Sequence, residues 1–203
     1  MQALLIVDVQ NDFMPGGSLP TPKGNEVIEV INRLIEKAPL TLATKDWHPK
    51  DHVSFVTNHP GRKVGEVISS PSGEQILWPV HCVQESVGAE FASGLNVEGI
   101  DHIFYKGTDP IVDSYSAFFD NAHIRKTGLE DFLKNHHIED IAVVGVATDY
   151  CVLYSVLDAL ELGFTVSLVK DGCRSIDQKP GDGARALEKM QKKGAAIVQS
   201  NEV

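Results

Sequence analysis

Four short apolar runs in this chain each end in a residue able to do chemistry, and helical patterns separate them. Ala3-Leu4-Leu5-Ile6-Val7 ends at Asp8, and Leu40-Thr41-Leu42-Ala43-Thr44 runs into Asp46-Trp47-His48. His102-Ile103-Phe104-Tyr105 ends at Lys106. Ile141-Ala142-Val143-Val144-Gly145-Val146 leads through Ala147-Thr148-Asp149-Tyr150 to Cys151. Runs of this kind that alternate with amphipathic helices are the strands of a parallel α/β sheet. In such a sheet, ligands bind outside the carboxyl ends of the strands. An acid, an Asp-x-His pair, a lysine and a cysteine are therefore expected in one crevice. That is the inventory of an enzyme with a thiol nucleophile and a metal ion.

The alternation continues along the chain. Val27, Ile31, Leu34 and Ala38 repeat at helical spacing, with Ile28 and Ile35 beside them and Asn25 as the expected N-cap. Thr127-Gly128-Leu129-Glu130 has the form of a capping box before a short helix through Leu133. Val152, Leu153, Val156, Leu157 and Leu160 define another amphipathic helix, which Gly163 is placed to end. Residues 164–169 read as a fifth strand, 183–193 as a helix and 195–198 as a sixth strand. Residues 49–100, rich in Pro, Gly, His and Ser, break this rhythm. A stretch of that length inside a compact domain is usually functional. It is expected to fold over the crevice with a short helix or hairpin of its own. No linker divides the 203 residues, so residues 1–203 are expected to form a single domain.

Charge narrows the class of partner. Eighteen basic residues face 28 acidic ones, giving a net charge of −10. Nucleic acid needs clustered Lys and Arg, so it is not expected as a partner. The basic cluster from Lys189 to Lys193 reads as a solvated helix face. No apolar run approaches the roughly 18 residues of a membrane span, so no membrane partner is expected. The chain opens directly into a strand pattern without a cationic segment or cleavage site. Its three widely spaced cysteines form no disulfide framework, and a reduced, cytoplasmic protein is the expectation.

Cys151 lies in the first turn of a helix after a buried-type strand. With Thr148 or Asp149 as N-cap, backbone N–H groups and the helix dipole would favour a thiolate and cradle an oxyanion. A buried structural cysteine is the competing reading, and it is the better one for Cys82 and Cys173. Asp8 either serves the site or caps a turn with Gln10-Asn11-Asp12. Lys106 taken alone would be a surface lysine. Together the three explain one another: Asp8 could take the thiol proton, while Lys106 stabilises both the thiolate and the ionised Asp8.

Asp46-x-His48 in an extended segment puts two ligands on one side of the chain, with His52 and His81 following in the excursion. Imidazole and carboxylate suit Zn, Fe, Mn or Ni. Three protein ligands leave open positions, the catalytic type of site. Phe13, Trp47, Trp78 and Tyr115 fall in the same loops and could pack in the core or clamp a flat ring.

Several segments match a known family in order. They are Asp8-Val9-Gln10-Asn11-Asp12-Phe13 with the following Pro-Gly-Gly, and Thr44-Lys45-Asp46-Trp47-His48-Pro49. Trp78-Pro79-Val80-His81-Cys82-Val83, Lys106-Gly107 and Gly145-Val146-Ala147-Thr148-Asp149-Tyr150-Cys151-Val152 follow. The chain resembles, over nearly its whole length, the nicotinamidase branch of the isochorismatase-like cysteine hydrolases. The resemblance implies a Rossmann-like α/β/α fold in three layers with a six-stranded, mostly parallel sheet. It implies a triad of Asp8, Lys106 and Cys151, and an oxyanion hole from the N–H groups of Ala147 and Cys151 after a cis peptide. Asp46, His48 and His81 would bind one divalent metal ion, zinc first, with iron or manganese as alternatives. His52 would be a further ligand or a neighbour of one. Phe13, Trp78 and Tyr115 would line the substrate pocket. The implied activity is hydrolysis of nicotinamide to nicotinate and ammonia, extending to pyrazinamide-like amides and serving NAD salvage. A homo-oligomer could form through an exposed face of the excursion.

Two alternatives stand beside this. A carbamoyl or ureido amidohydrolase of the same superfamily would keep the cysteine and lack the metal. A non-catalytic relative would bind a ligand only.

Overall fold

Alternate residues of each strand point to opposite faces of the sheet, and here both faces are apolar. In the computed structural model, which describes residues 2–70 and 72–203, strand β1 (Gln2–Val7) sends Ala3, Leu5 and Val7 to one core and Leu4 and Ile6 to the other. The first core is closed by helices α2 (Leu129–Asn135), α3 (Cys151–Glu161) and α4 (Asp182–Lys192). The second is closed by α1 (Val27–Ile35), whose Val27, Ile31, Leu34 and Ile35 are buried, and by Cys82, Ala89, Ala92 and Leu95 of the excursion. The result is the three-layer α/β/α arrangement.

The main sheet has six strands, and every pairing in it is parallel. Besides β1 it contains β2 (Thr41–Asp46), β5 (His102–Lys106), β6 (Asp140–Val146), β7 (Thr165–Arg174) and β8 (Ala196–Val198). Their order is β5-β2-β1-β6-β7-β8. The chain starts in the middle, builds outward through β2 and β5, then returns beside β1 with β6. The strand order reverses between β1 and β6, which is where an open sheet of this type leaves a crevice. Asp8 and Cys151 follow the two strands that flank it.

The excursion contributes an antiparallel pair, β3 (Val67–Ser70) and β4 (Gly73–Ile76), together with single helical turns at Val56–Asn58, Val87–Ala89 and Val97–Gly99. It is stitched to the segment after β2: His48 N–H donates to Cys82 O (3.0 Å), and Gln84 N–H donates to His48 O (2.9 Å).

The helix starts differ from the sequence expectation. Asn25 lies inside a helical turn, Gly24–Glu26, that leads directly into α1, so it caps nothing. The capping box at Thr127 does not form. Glu130 pairs instead with Lys126 (2.7 Å) and Lys134 (2.6 Å), while Thr127 Oγ1 donates to Ala117 O (2.6 Å). Thr127 Oγ1 still accepts Leu129 N–H (3.2 Å), but Gly128 stands at the helix start and Glu130 turns to its lysine partners. Gly163, with φ of 91°, ends α3 as expected, because the left-handed turn after a helix favours a residue without Cβ.

Candidate active site

The carboxyl ends of β1, β2, β5 and β6 deliver Asp8, Asp46, Lys106 and Cys151 to one buried cluster. Asp8 is buried and takes a φ of 51°, a turn that aspartate tolerates. Its carboxylate does not cap the following turn. Oδ1 accepts the Thr44 hydroxyl at 2.7 Å, and Lys106 Nζ lies 2.8 Å from Oδ2, within ion-pair range but not aligned as a hydrogen bond. Lys106 Nζ also donates to Asp46 Oδ1, to Ser114 O (2.9 Å) and to Cys151 Sγ (3.3 Å). Oxygens of Asp8 and Asp46 and the Cys151 sulfur lie within 4.8 Å of one another.

Cys151 opens α3, but neither Thr148 nor Asp149 caps that helix. The residue before it is Tyr150, without a side-chain cap, and Asp149 Oδ1 and Oδ2 accept instead from Ile176 N–H (2.9 Å) and Asp177 N–H (2.8 Å). Nor does the helix start hold the sulfur as a thiolate. Burial pushes the Cys151 thiol well up, against the pull of Lys106. Burial likewise raises the Asp8 carboxyl above its ordinary value, although Lys106 opposes it. The Lys106 ammonium resists burial because Asp46 and Asp8 hold its pKa well up. The cluster thus sets a thiol and a carboxyl that burial pushes up beside a lysine that two carboxylates keep charged. The Val146–Ala147 peptide is cis, and Tyr150 and Val152 N–H both donate to Ala147 O (3.0 and 3.1 Å). Among the described residues, the N–H groups of Ala147 and Cys151 donate to no other group of the chain. Cys82 and Cys173 are buried, and burial pushes the Cys173 thiol up to about 12.

Asp46, His48 and His81, all buried, bring one donor atom each within 4.8 Å of the others. His48 Nδ1 lies 2.9 Å from Gly107 O, and His81 Nδ1 lies 2.7 Å from Pro79 O. A carbonyl oxygen only accepts, so each Nδ1 carries a proton, and when the ring is neutral its Nε2 keeps a lone pair. Against the effect of burial, the Asp46 carboxylate raises the pKa of His48. Those Nε2 atoms face Asp46 Oδ2 at 3.5 and 3.9 Å. This is the tautomer a metal-binding histidine needs, with the outer partner already in place. Burial, reinforced by His48, lowers the pKa of His81 to about 4, so it is neutral at neutral pH. Asp46 is held well below the usual carboxylate range, because Lys106 and His48 outweigh its burial. One ammonium thus faces two buried carboxylates, an arrangement that a further cation would balance. The donor set therefore fits a divalent ion.

His52 behaves differently. Its ring lies 4.1 Å from that of His48, but Ser54 N–H donates to its Nδ1 (3.3 Å). Its Nε2 has no hydrogen-bond partner and faces Asp113 Oδ1 at 3.9 Å. Its Nδ1 also lies 2.7 Å from Ser54 Oγ, to which it can donate and so leave Nε2 a lone pair, and His48, His52 and Asp113 bring one donor atom each within 4.8 Å of the others. Phe55 forms an apolar floor, with its ring 5.5 Å from each of His48, His52 and His81.

A narrow recess lies between the thiol and the Asp46 and His81 side chains, with Phe13, Trp78 and Tyr115 in its wall. Trp78 Nε1 donates to the Tyr115 hydroxyl at 3.1 Å, which locks two of these rings together. Trp47 is not part of this wall. It packs edge-on against Tyr105 (5.1 Å) with Lys45 above it, on the outside of β2. Tyr150, Leu19, Ile176 and Asp113 complete the recess and were not singled out in the sequence. Tyr150 could have been found from its place beside Cys151. Asp113 carries no local signal, since it reaches the site through a loop.

An isochorismatase-domain family model matches residues 2–202. Nicotinamidase of Escherichia coli strain K12 is 45% identical over 202 residues, covering 97% of this chain and 93% of that protein. A solved Acinetobacter nicotinamidase/pyrazinamidase superposes with a TM-score of 0.95 at 41% identity, covering 99% of this chain and 97% of the other. A pyrazinamidase of Pyrococcus horikoshii, solved in complex with zinc, superposes with a TM-score of 0.78 at 40% identity, covering 98% of each chain.

Proposed function

This chain belongs to the isochorismatase family, and we propose that within it the protein is a nicotinamidase, converting nicotinamide and water to nicotinate and ammonia. The observation that carries this reading is the pairing of two sites across one aromatic-walled recess: a thiol within reach of Lys106 and Asp8, and an Asp46-His48-His81 set able to hold a metal. The E. coli relative is named for this activity, and the Pyrococcus relative holds zinc. Pyrazinamide, whose ring also has a nitrogen meta to its carboxamide, would fit the same recess, and NAD salvage is the setting in which the product would be used.

Asp46, His48 and His81 would hold a divalent ion, zinc first, with His52 beside them. When bound, that ion supplies a Lewis-acid position for the pyridine nitrogen and so fixes the ring. The remaining work belongs to the chain. Phe13, Trp78 and Tyr115 enclose the ring and exclude water. Asp8 takes the proton of Cys151 as Sγ attacks the carboxamide carbon, a step suited to a base whose pKa burial has raised. Lys106 stays charged and steadies both the sulfur and Asp8. The N–H groups of Ala147 and Cys151 receive the oxyanion. Asp8 returns its proton to the amide nitrogen, the C–N bond breaks and ammonia leaves. Asp8 then takes a proton from water, which attacks the thioester. The proton returns to Cys151 as nicotinate departs.

The test is ammonia release from nicotinamide by purified protein. Release that disappears on chelation and returns with a divalent ion supports the triad and the ligand set together. Activity towards carbamoyl or ureido substrates that persists with chelator, without release from nicotinamide, would overturn the reading in favour of a metal-independent amidohydrolase.

A further inference from the structure

The segment after β1 carries more than Asp8. Two residues further on, the Gln10 side chain is buried and forms a closed pair of hydrogen bonds with the backbone of Asp46. Gln10 Nε2 donates to Asp46 O (2.8 Å), and Gln10 Oε1 accepts from Asp46 N–H (2.9 Å). The same Nε2 donates to Ala89 O (2.9 Å) in the excursion. Two residues further again, Asp12 Oδ2 accepts the N–H of Cys82 at 2.7 Å. Cys82 follows His81 directly and takes a φ of 46°, a left-handed turn unusual for a residue with a Cβ. Its carbonyl accepts from His48 N–H at 3.0 Å. The Cys82 backbone is therefore held on one side by Asp12 and on the other by the segment carrying His48.

Asp12 is itself seated. Its Oδ1 accepts the Ser18 hydroxyl at 2.6 Å, and a Cβ added at Gly88 would stand 2.6 Å from that same oxygen. A carboxylate packed against a glycine and bonded on both oxygens has one position. A charge-assisted bond to a backbone N–H in such a seat is among the stronger ways to fix a turn.

We propose that Gln10 and Asp12 are positioning residues for the metal site, tying the segments that bear Asp46, His48 and His81 to the strand end that bears Asp8. Within five residues, from the left-handed turn at Asp8 into the helical turn Asn11–Phe13, three side chains take three tasks: Asp8 serves the thiol, Gln10 sets Asp46, and Asp12 sets His81 and, through Cys82, His48. The inference rests on the metal reading given above.

Cobalt(II) is the probe, because its visible spectrum reports coordination geometry. Co²⁺ and Zn²⁺ affinities are measured by chelator competition on metal-free wild type, Asp12→Ala, Asp12→Asn and Gln10→Glu, without substrate. Asp12→Ala and Gln10→Glu are expected to weaken metal binding by about 10–100-fold, the usual effect of losing an outer partner, and to alter the cobalt spectrum. Asp12→Asn keeps an oxygen for the Cys82 N–H and is expected to recover most of the affinity. Ser155→Ala, which removes a buried hydroxyl bonded to Cys151 O (2.6 Å) and Ala117 N–H (2.8 Å), is expected to lower stability while leaving metal affinity unchanged. If Asp12→Ala does not fold, Gln10→Glu against Ser155→Ala decides the matter. Wild-type affinity and spectrum in Asp12→Ala and Gln10→Glu, or equal weakening in Ser155→Ala, would overturn the proposal. Wild type that binds cobalt yet releases no ammonia from nicotinamide would overturn the proposed activity alone.

Discussion

Lys106 Nζ stands 3.3 Å from Cys151 Sγ, although the two residues follow strands that lie three places apart in the sheet. The lysine ends edge strand β5, and residues from the ends of β2, β1 and β6 converge on its ammonium. Among them are Asp46 and Asp8. Every charge in the cluster is buried, so the lysine holds the pocket together as well as taking part in chemistry.

Replacing Lys106 by Met should therefore cost stability as well as activity. Removing one partner of a buried ion pair typically costs about 3–5 kcal/mol, because the other charge is left uncompensated. Here two carboxylates remain. Their folded-state pKa values then rise, so the variant should gain stability as pH falls toward the carboxylate range. Urea unfolding at several pH values checks this. A Lys106→Met protein as stable as wild type at neutral pH would show that the cluster is not held by charge.

Cys151→Ala should abolish ammonia release while leaving nicotinamide binding largely intact, since the sulfur is only one part of a wall otherwise made of rings. Turnover and calorimetric binding are measured on the same preparation. Substantial residual turnover would remove Cys151 as the nucleophile.

The pH dependence follows from Asp8. Burial raises its carboxyl above the ordinary aspartate value, with Lys106 opposing. As a base it must be ionised, so kcat should fall as pH drops through a pKa above that of an ordinary carboxylate. On the alkaline side Lys106, whose pKa is held well above 10.5, should impose no loss near neutrality. The profile is taken at saturating metal, so that release of the ion is not read as titration of Asp8. An acid limb at or below the ordinary carboxylate value would reassign the base.

Gly107→Ala should weaken the metal site. Gly107 has a φ of 63°, and a Cβ there would lie 2.6 Å from His48 Nδ1, the atom that donates to Gly107 O. The left-handed conformation alone costs a residue with a Cβ roughly 1–2 kcal/mol. The displaced imidazole should lower zinc affinity by about 10–100-fold. Unchanged affinity by chelator competition would mean that His48 does not need this carbonyl.

What the sequence made legible was whatever sits at a strand end. Asp8, Asp46, Lys106 and Cys151 could be placed because short continuous apolar runs locate buried strands, and topology puts their carboxyl ends together. Asp113 and Phe55 could not be placed, because loops 49–100 and 107–127 have no periodicity to anchor them. Helix caps at Asn25 and Thr127 failed for a related reason. A Ser, Thr or Asn before an apolar run is a local signal, and it does not show that a helical turn will precede α1 or that Glu130 will pair with Lys126 and Lys134. The acidity of Cys151 was also misjudged from its position, since the burial that outweighs the helix start cannot be seen in a one-dimensional pattern.

Strands β1 and β6 are paired from Gln2 opposite Asp140 to Val7 opposite Gly145. The base follows one strand and the turn to the nucleophile follows the other, so this pairing also sets their separation. A slip of one residue would move the two apart by about 3.3 Å and turn each core side chain of the slipped strand to the wrong face. Proofreading of the fold and assembly of the catalyst are then the same event: a misregistered molecule is also an inert one, and enzymatic turnover becomes a direct assay for whether a given molecule has found its native register.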